Sequence, residues 1–236
     1  MTVVKTEPER TIPSAMLRVV GGTEPIARHS LHDDVVTRIR DMIIDGRLES
    51  GARINEGPFG ASLGISRTPL REALKFLTSE GLVEIVPGRG AIVRKFSAKE
   101  VSDTLDMLAN LEAMAGRLAC GVASDTGIAA VKCLHDRMMT HYAAAERMEY
   151  YKLNQDIHSA IVRLANNGAL AEAHSTFQSR LKRIRFIGNQ EPVKWRGAVG
   201  EHKEMIKALV ARDGERLANI LELHMKRTWE RVRDMV

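Results

Sequence analysis

Only two cysteines, Cys120 and Cys133, occur in 236 residues, and they lie too far apart for a metal knuckle or a redox pair, so both read as reduced thiols of a cytosolic protein. Aromatic residues are just 4% of the chain. No run of about 18 apolar residues is present, which excludes a helical membrane span. The segment from Met1 to Arg10 is polar and contains a proline, so no signal peptide is expected either. The expected location is the cytoplasm.

What the chain does have is Leu, Ala, Met, Arg, Glu and Ile in quantity, and unbranched side chains of this kind lose little rotamer freedom in a helix. A mainly α protein is expected. The length suits two domains, and a hydrophobic share of 44% is enough to build both cores. A net charge of +5 permits a polyanionic partner without requiring one.

Residues 1–30 carry Pro8, Pro13, Gly21, Gly22 and Pro25 without periodicity, which predicts a mobile tail. From Leu31 onward Val35, Ile39, Met42 and Ile43 recur at helical spacing, up to a stop near Gly46. A short helix is expected over 57–63, closed by Gly64, and another from Arg67 to about Glu80 that buries Leu70, Ala73, Leu74 and Leu77. Ser66 is placed as its N-cap, and Pro69 is tolerated in a first turn where its missing N–H has no helical partner. Residues 82–86 and 91–94 read as two strands joined by Pro87-Gly88-Arg89-Gly90. Helix, helix, turn, helix, hairpin is the order of a winged helix-turn-helix, here spanning 31–97 with a two-stranded wing.

Ser97-Ala98-Lys99-Glu100 reads as a capping box and marks a domain boundary. Residues 98–236 then form an all-helical bundle, with helices expected over 98–123, 126–148, 149–165, 169–188, 195–211 and 214–234.

Arg67, Thr68 and Arg71 fall at the start of one helix on its polar side, where an N-terminal turn can enter a major groove and an Arg can bond guanine O6 and N7 together. Ser66 and the first-turn N–H groups would lie near phosphate, and Lys75 could add a further contact. Gly88 and Arg89 at the hairpin tip could bring backbone and a guanidinium to a neighbouring groove. The competing reading is that Arg67 and Arg71 are solvated helix charges. The stretch from Leu48 to Leu82, with Ser66-Arg67-Thr68-Pro69-Leu70-Arg71-Glu72-Ala73-Leu74 and Glu80-Gly81-Leu82-Val83 inside it, resembles the signature of the GntR family of bacterial regulators and so implies DNA binding. Ser50-Gly51 replaces the usual Pro-Gly, Phe59-Gly60 replaces Leu-Ala, and Gly57 stands where some relatives carry an Arg to phosphate. The second helix is therefore expected to be weakened by Gly60.

In the second domain His158, His202 and His224 each share an apolar helical stripe, and Asn154 lies one turn before His158 on the same face. Three converging imidazoles with one oxygen ligand suit a divalent metal ion such as zinc or nickel. Taken singly, each histidine reads better as a core residue satisfied by a hydrogen bond. Residues 98–236 resemble the FCD-type ligand-binding domain of the FadR-like subfamily, through Leu111-Glu112, Asn154 to His158 with Asn166-Asn167, Glu201-His202 and Gly214 to His224. That resemblance implies a metal held by Asn154, His158, His202 and His224 beneath a pocket for a small carboxylic acid. Leu108 stands where many relatives place an Arg, so Arg196 or Arg185 is expected to meet the acid. The cationic run through Arg180, Lys182, Arg183, Arg185, Lys194, Arg196, Lys203 and Lys207 reads as a solvated face rather than a second DNA surface. His135, His141 and His174 receive no assignment.

The expectation is a homodimeric, ligand-responsive repressor on a palindromic operator, because one recognition helix reads too few base pairs alone. A metal-dependent hydrolase is disfavoured because no Glu adjoins the ligands as in a His-Glu-x-x-His helix. A sequence-tolerant architectural DNA protein is the other alternative.

Overall fold

The structure, a computed structural model, describes residues 31–188 and 191–236, and the tail expected over 1–30 lies outside them. Apolar residues three and four apart give α1 (Leu31–Ile44) a single stripe that buries Val35, Val36, Ile39 and Ile43. α3 (Arg67–Ser79) turns Leu70, Ala73, Leu74 and Leu77 toward it, and the two helices share one core with Leu82, Val83 and Val93. Between them α2 (Glu56–Leu63) ends at Gly64, whose φ of 70° closes the turn into the next helix.

The sheet has three strands rather than the expected two. β2 (Val83–Val86) and β3 (Gly90–Val93) make the hairpin, and β1 (Arg53–Ile54) pairs antiparallel with the other side of β3 to give the order β1-β3-β2. A two-residue strand carries no alternation by which to announce itself. Gly60 is also more than a weak helix residue, since a Cβ there would come to 3.1 Å from the Ile65 carbonyl. The bend between α2 and α3 uses that space.

Ser66 has the extended backbone of an N-cap, but its side chain makes no capping hydrogen bond. Ser97 makes both halves of its capping box with Glu100. The bundle that follows consists of α4 (Ala98–Val122), α5 (Asp125–Ala143), α6 (Arg147–Leu164), α7 (Gly168–Arg180), α8 (Lys182–Ile187), α9 (Pro192–Val210) and α10 (Gly214–Val232), closed by a short 3-10 turn at Arg233–Met235. The helix expected over 169–188 is broken at Leu181, which leaves helical geometry with φ −97° and ψ 9°. α5 stops well short of 148, and Ala145 adopts φ 58° in the turn to α6. α9 starts at Pro192 rather than 195, because proline fits a first helical turn.

Candidate nucleic-acid interface and candidate metal centre

The opening turn of α3 presents Ser66, Arg67 and Thr68 to solvent, and Gly88 and Arg89 are exposed at the wing tip. Arg67 and Arg89 line one groove together with Arg53, Asn55 and Glu56, whose carboxylate is already paired with Arg71. Three guanidiniums from a strand, a helix start and a wing thus face a single concavity, which suits a phosphate backbone beside a groove. Arg53 was not singled out from sequence because its strand was not read. Arg71 is exposed, but its Nε donates to Glu56 Oε2 at 2.6 Å, tying α3 to α2. Exposed pairs of this kind are worth about 0–1 kcal/mol, so a phosphate or a guanine edge can compete for the guanidinium. Lys75 likewise pairs with Glu72 at 3.0 Å.

In the bundle, α6 supplies Asn154 and His158, α9 supplies His202 and α10 supplies His224. The three ring centroids are 5.1 Å apart in every pairing. One nitrogen from each ring lies within 4.8 Å of the others, and all three side chains are buried. Two acids set the rings: His158 Nδ1 donates to Glu112 Oε2 at 2.6 Å, and His224 Nδ1 donates to Glu201 Oε2 at 2.6 Å. A carboxylate only accepts, so each Nδ1 carries the proton and each Nε2 keeps its lone pair. His158 Nε2 is buried and has no partner among the described residues.

The acids are themselves held. His174 Nε2 lies 3.0 Å from Glu112 Oε1, while Arg227 and Arg231 bond Glu201 Oε1. Burial alone would raise the Glu201 carboxyl, but hydrogen bonds and charge from His224 and Arg231 outweigh it and bring it down to about 2. Desolvation pushes the His158 imidazole down to about 3 against the pull of Glu112, and burial likewise lowers His202 and His224. All three rings are therefore neutral at pH 7, the form that ligates a metal.

Asn154 is at the centre as well, with its amide nitrogen 2.7 Å from His202 Nε2 and its Oδ1 accepting from Gln155 Nε2 at 3.2 Å. Neutral imidazoles, an unpartnered Nε2 and carboxylates on the far nitrogens fit a divalent cation. A half-turn of the Asn154 amide would add an oxygen to that donor set.

The two candidate acid-binding arginines part company. Arg185 is only 4% exposed, neither of its terminal nitrogens has a hydrogen-bond partner among the described residues, and its charge acts on all three imidazoles. Arg196 is exposed on α9, because the turn that faces Trp195, Val199 and His202 inward directs it outward. The expectation of Arg196 at the pocket is corrected on that ground. Leu108 is fully buried against the core that holds Leu181 and Ile184, so it leaves the cation to α8. His135 is buried with its Nε2 unpartnered among the described residues, and His141 pairs with Glu146 near the surface.

Glu112, Glu201 and His174 received no role from sequence. A signal existed: Glu112 lies one turn after Leu108 and one before Gly116, an acid on an apolar stripe. Such an acid needs a partner, and only the fold reveals which.

Residues 31–93 match the bacterial regulatory proteins of the gntR family, and residues 103–227 match the FCD domain. The chain is 29% identical to the Nta operon transcriptional regulator of Aminobacter aminovorans over 83% of its own length and 91% of that protein. It is 22% identical to the HTH-type transcriptional repressor RspR of Escherichia coli over 84% of its length and 86% of the relative. A crystal structure of a GntR transcriptional regulator from Rhodococcus sp. RHA1 superposes with a TM-score of 0.71 at 22% identity, covering 87% of this chain and 98% of that one, and supports the fold. No described helix is long and apolar enough to cross a membrane. A winged helix-turn-helix with exposed arginines, joined to a helical domain that matches over more than half of the chain, has one reading: this protein belongs to the gntR family of bacterial transcription regulators and carries an FCD domain.

Proposed function

We propose that this regulator is a repressor that binds a palindromic operator as a homodimer and is released by a small organic acid bound in the helical domain. As a member of its family it is a transcription regulator and not an enzyme. The observation that carries the finer reading is the convergence of three neutral buried imidazoles in a domain that also buries Arg185, whose terminal nitrogens have no hydrogen-bond partner among the described residues. An orphaned buried polar group costs about 1–3 kcal/mol, and such a cost persists where a guest satisfies it. The hydroxyl of Tyr151 is likewise buried in the same domain without a hydrogen-bond partner among the described residues.

Asn154, His158, His202 and His224 would hold a divalent ion of the zinc or nickel type, which when bound supplies positive charge for an effector carboxylate. Arg185 offers the second cation, in a fork that matches a carboxylate. At the other end Ser66, Arg67, Thr68, Arg71, Gly88 and Arg89 read the operator, joined by Arg53. Dimerisation has a candidate face on α4, where Met107 and Met114 are 46% and 47% exposed two turns apart with half-buried Leu111 between them. The sign of regulation follows the repressor named among the relatives.

Arg67→Ala is expected to weaken binding to a selected operator duplex by about 1–3 kcal/mol and to relax base preference at one position per half-site. Titration of a base-substituted duplex series checks this, and unchanged selectivity would remove Arg67 from base reading.

Freshly purified protein is expected to carry about one divalent ion per chain by elemental analysis, and His158→Ala far less. Equal metal content in the two proteins would overturn the centre.

Metal-free protein should also become less stable as pH falls. The folded His158 titrates at about 3 against an ordinary 6.5, so between those values the unfolded chain binds protons that the folded chain does not. Stability rises with pH in that window and is lost on acidification through it. Thermal midpoints after chelation should fall from about pH 6.5 downward, and less steeply in His158→Phe; an identical slope in the variant would contradict the neutral, buried imidazole.

Light scattering is expected to give twice the chain mass for the wild type and the single mass for Met114→Glu. A monomeric wild type would remove the dimer.

A further inference from the structure

The recognition helix is held from behind by the helical domain. Glu80, the residue that follows α3, accepts two hydrogen bonds from Arg40 of α1 at 2.9 and 2.7 Å, and a third from Lys182 Nζ of α8 at 3.0 Å. The site is largely buried, with side-chain exposures of 14% for Glu80 and 19% for both cations. Burial alone would raise the Glu80 carboxyl, and the bonds and charges of Arg40 and Lys182 hold it below the ordinary range. Next along α8, Arg183 Nη1 donates to the Ile43 carbonyl at the end of α1, at 2.7 Å. Lys152 of α6 pairs with Asp41 at 3.0 Å.

Two positions after Arg183 the same helix carries Arg185, which is buried with neither terminal nitrogen partnered among the described residues and whose charge acts on all three imidazoles. α8 has six residues, begins at the break at Leu181 and ends at Gly188, where an added Cβ would come within 2.7 Å of Val232. It is therefore a short separate body seated on α10, with Lys182 and Arg183 on the DNA-binding unit and Arg185 on the effector side. The cationic run that reads from sequence as a solvated face is, at these three positions, buried or half-buried.

We propose that α8 is the element through which the helical domain sets the placement of the recognition helix, with Lys182 and Arg183 as positioning residues and Arg185 as the residue whose bonding state they report. The proposal rests on the reading of Arg185 as an effector contact. A charge-assisted bond formed at Arg185 acts less than one helical turn from Lys182, so a shift of α8 is shared by both. The grip on Glu80 and on the Ile43 carbonyl then depends on whether the pocket is filled. Effector and duplex can be coupled only by as much as this grip differs between the two states.

The test uses amide hydrogen exchange of the full chain, with neither effector nor duplex added. Lys182→Met/Arg183→Met is expected to speed exchange in peptides covering 39–46 and 74–82 by about fivefold, equivalent to about 1 kcal/mol. Peptides within α5 should stay at the wild-type rate, which reports an intact bundle. Lys182→Arg keeps the ion pair and should exchange like the wild type, so a general loss of fold is distinguished from loss of the contact. Arg185→Met should change the rates of the 39–46 and 74–82 peptides in the wild-type background and add less than about twofold in the double variant. Unchanged exchange in the double variant, or an equal effect of Arg185→Met in both backgrounds, would overturn the proposal. Because no acid is present, that failure leaves the acid-binding reading standing, and failure of metal or acid binding leaves this coupling result intact.

Discussion

An ionised carboxylate removed from water is tolerable only when its oxygens are fully used, and this constraint organises the helical domain. Glu112 on α4 spends one oxygen on His158 and the other on His174, joining α4 to α6 and α7. Glu201 on α9 does the same for His224 and two arginines of α10. The same bonds that satisfy the acids fix the tautomer and the tilt of two imidazoles. Without either acid the rings would still be buried, but nothing would aim their free nitrogens at one point.

Most of the fold was legible because its signals are local. The apolar periods of α1 and α3, the capping box at Ser97 and the glycine-tipped hairpin each needed only a few neighbouring residues. What escaped is non-local or too short to have a period: the two-residue β1, and the break at Leu181, where the helical pattern runs on without a glycine or proline to interrupt it. The site divides in the same way. Helical spacing put Asn154 and His158 on one face and the other two histidines on apolar stripes, and resemblance named them as a set. Their supporting acids come from helices 46 and 23 positions away, a pairing no window along the chain contains. Arg185 and Arg196 were interchangeable as residues in a basic run, and only the packing of α8 and α9 separated the buried one from the solvated one.

The two halves of the molecule treat polarity in opposite ways. The DNA-binding unit keeps Arg53, Arg67, Arg71 and Arg89 at the surface, where an exposed pair such as Arg71 with Glu56 can be exchanged for a phosphate at little cost. The helical domain instead buries a cluster of polar groups, Glu112, His158, His202, His224 and Arg185 among them, so one half offers accessible charge and the other buried polarity.

The junction between the halves is short. Only four residues separate the end of β3 at Val93 from the start of α4 at Ala98, and Arg94 is fastened there by Glu84, Glu100 and the face of Phe96. A body pinned at one covalent corner and clasped at a second point can pivot about the first when the second opens, but it cannot drift. The wing and its helix would then sweep a narrow arc, and the place where the recognition helix meets a duplex would be decided by an angle rather than by the reach of a tether.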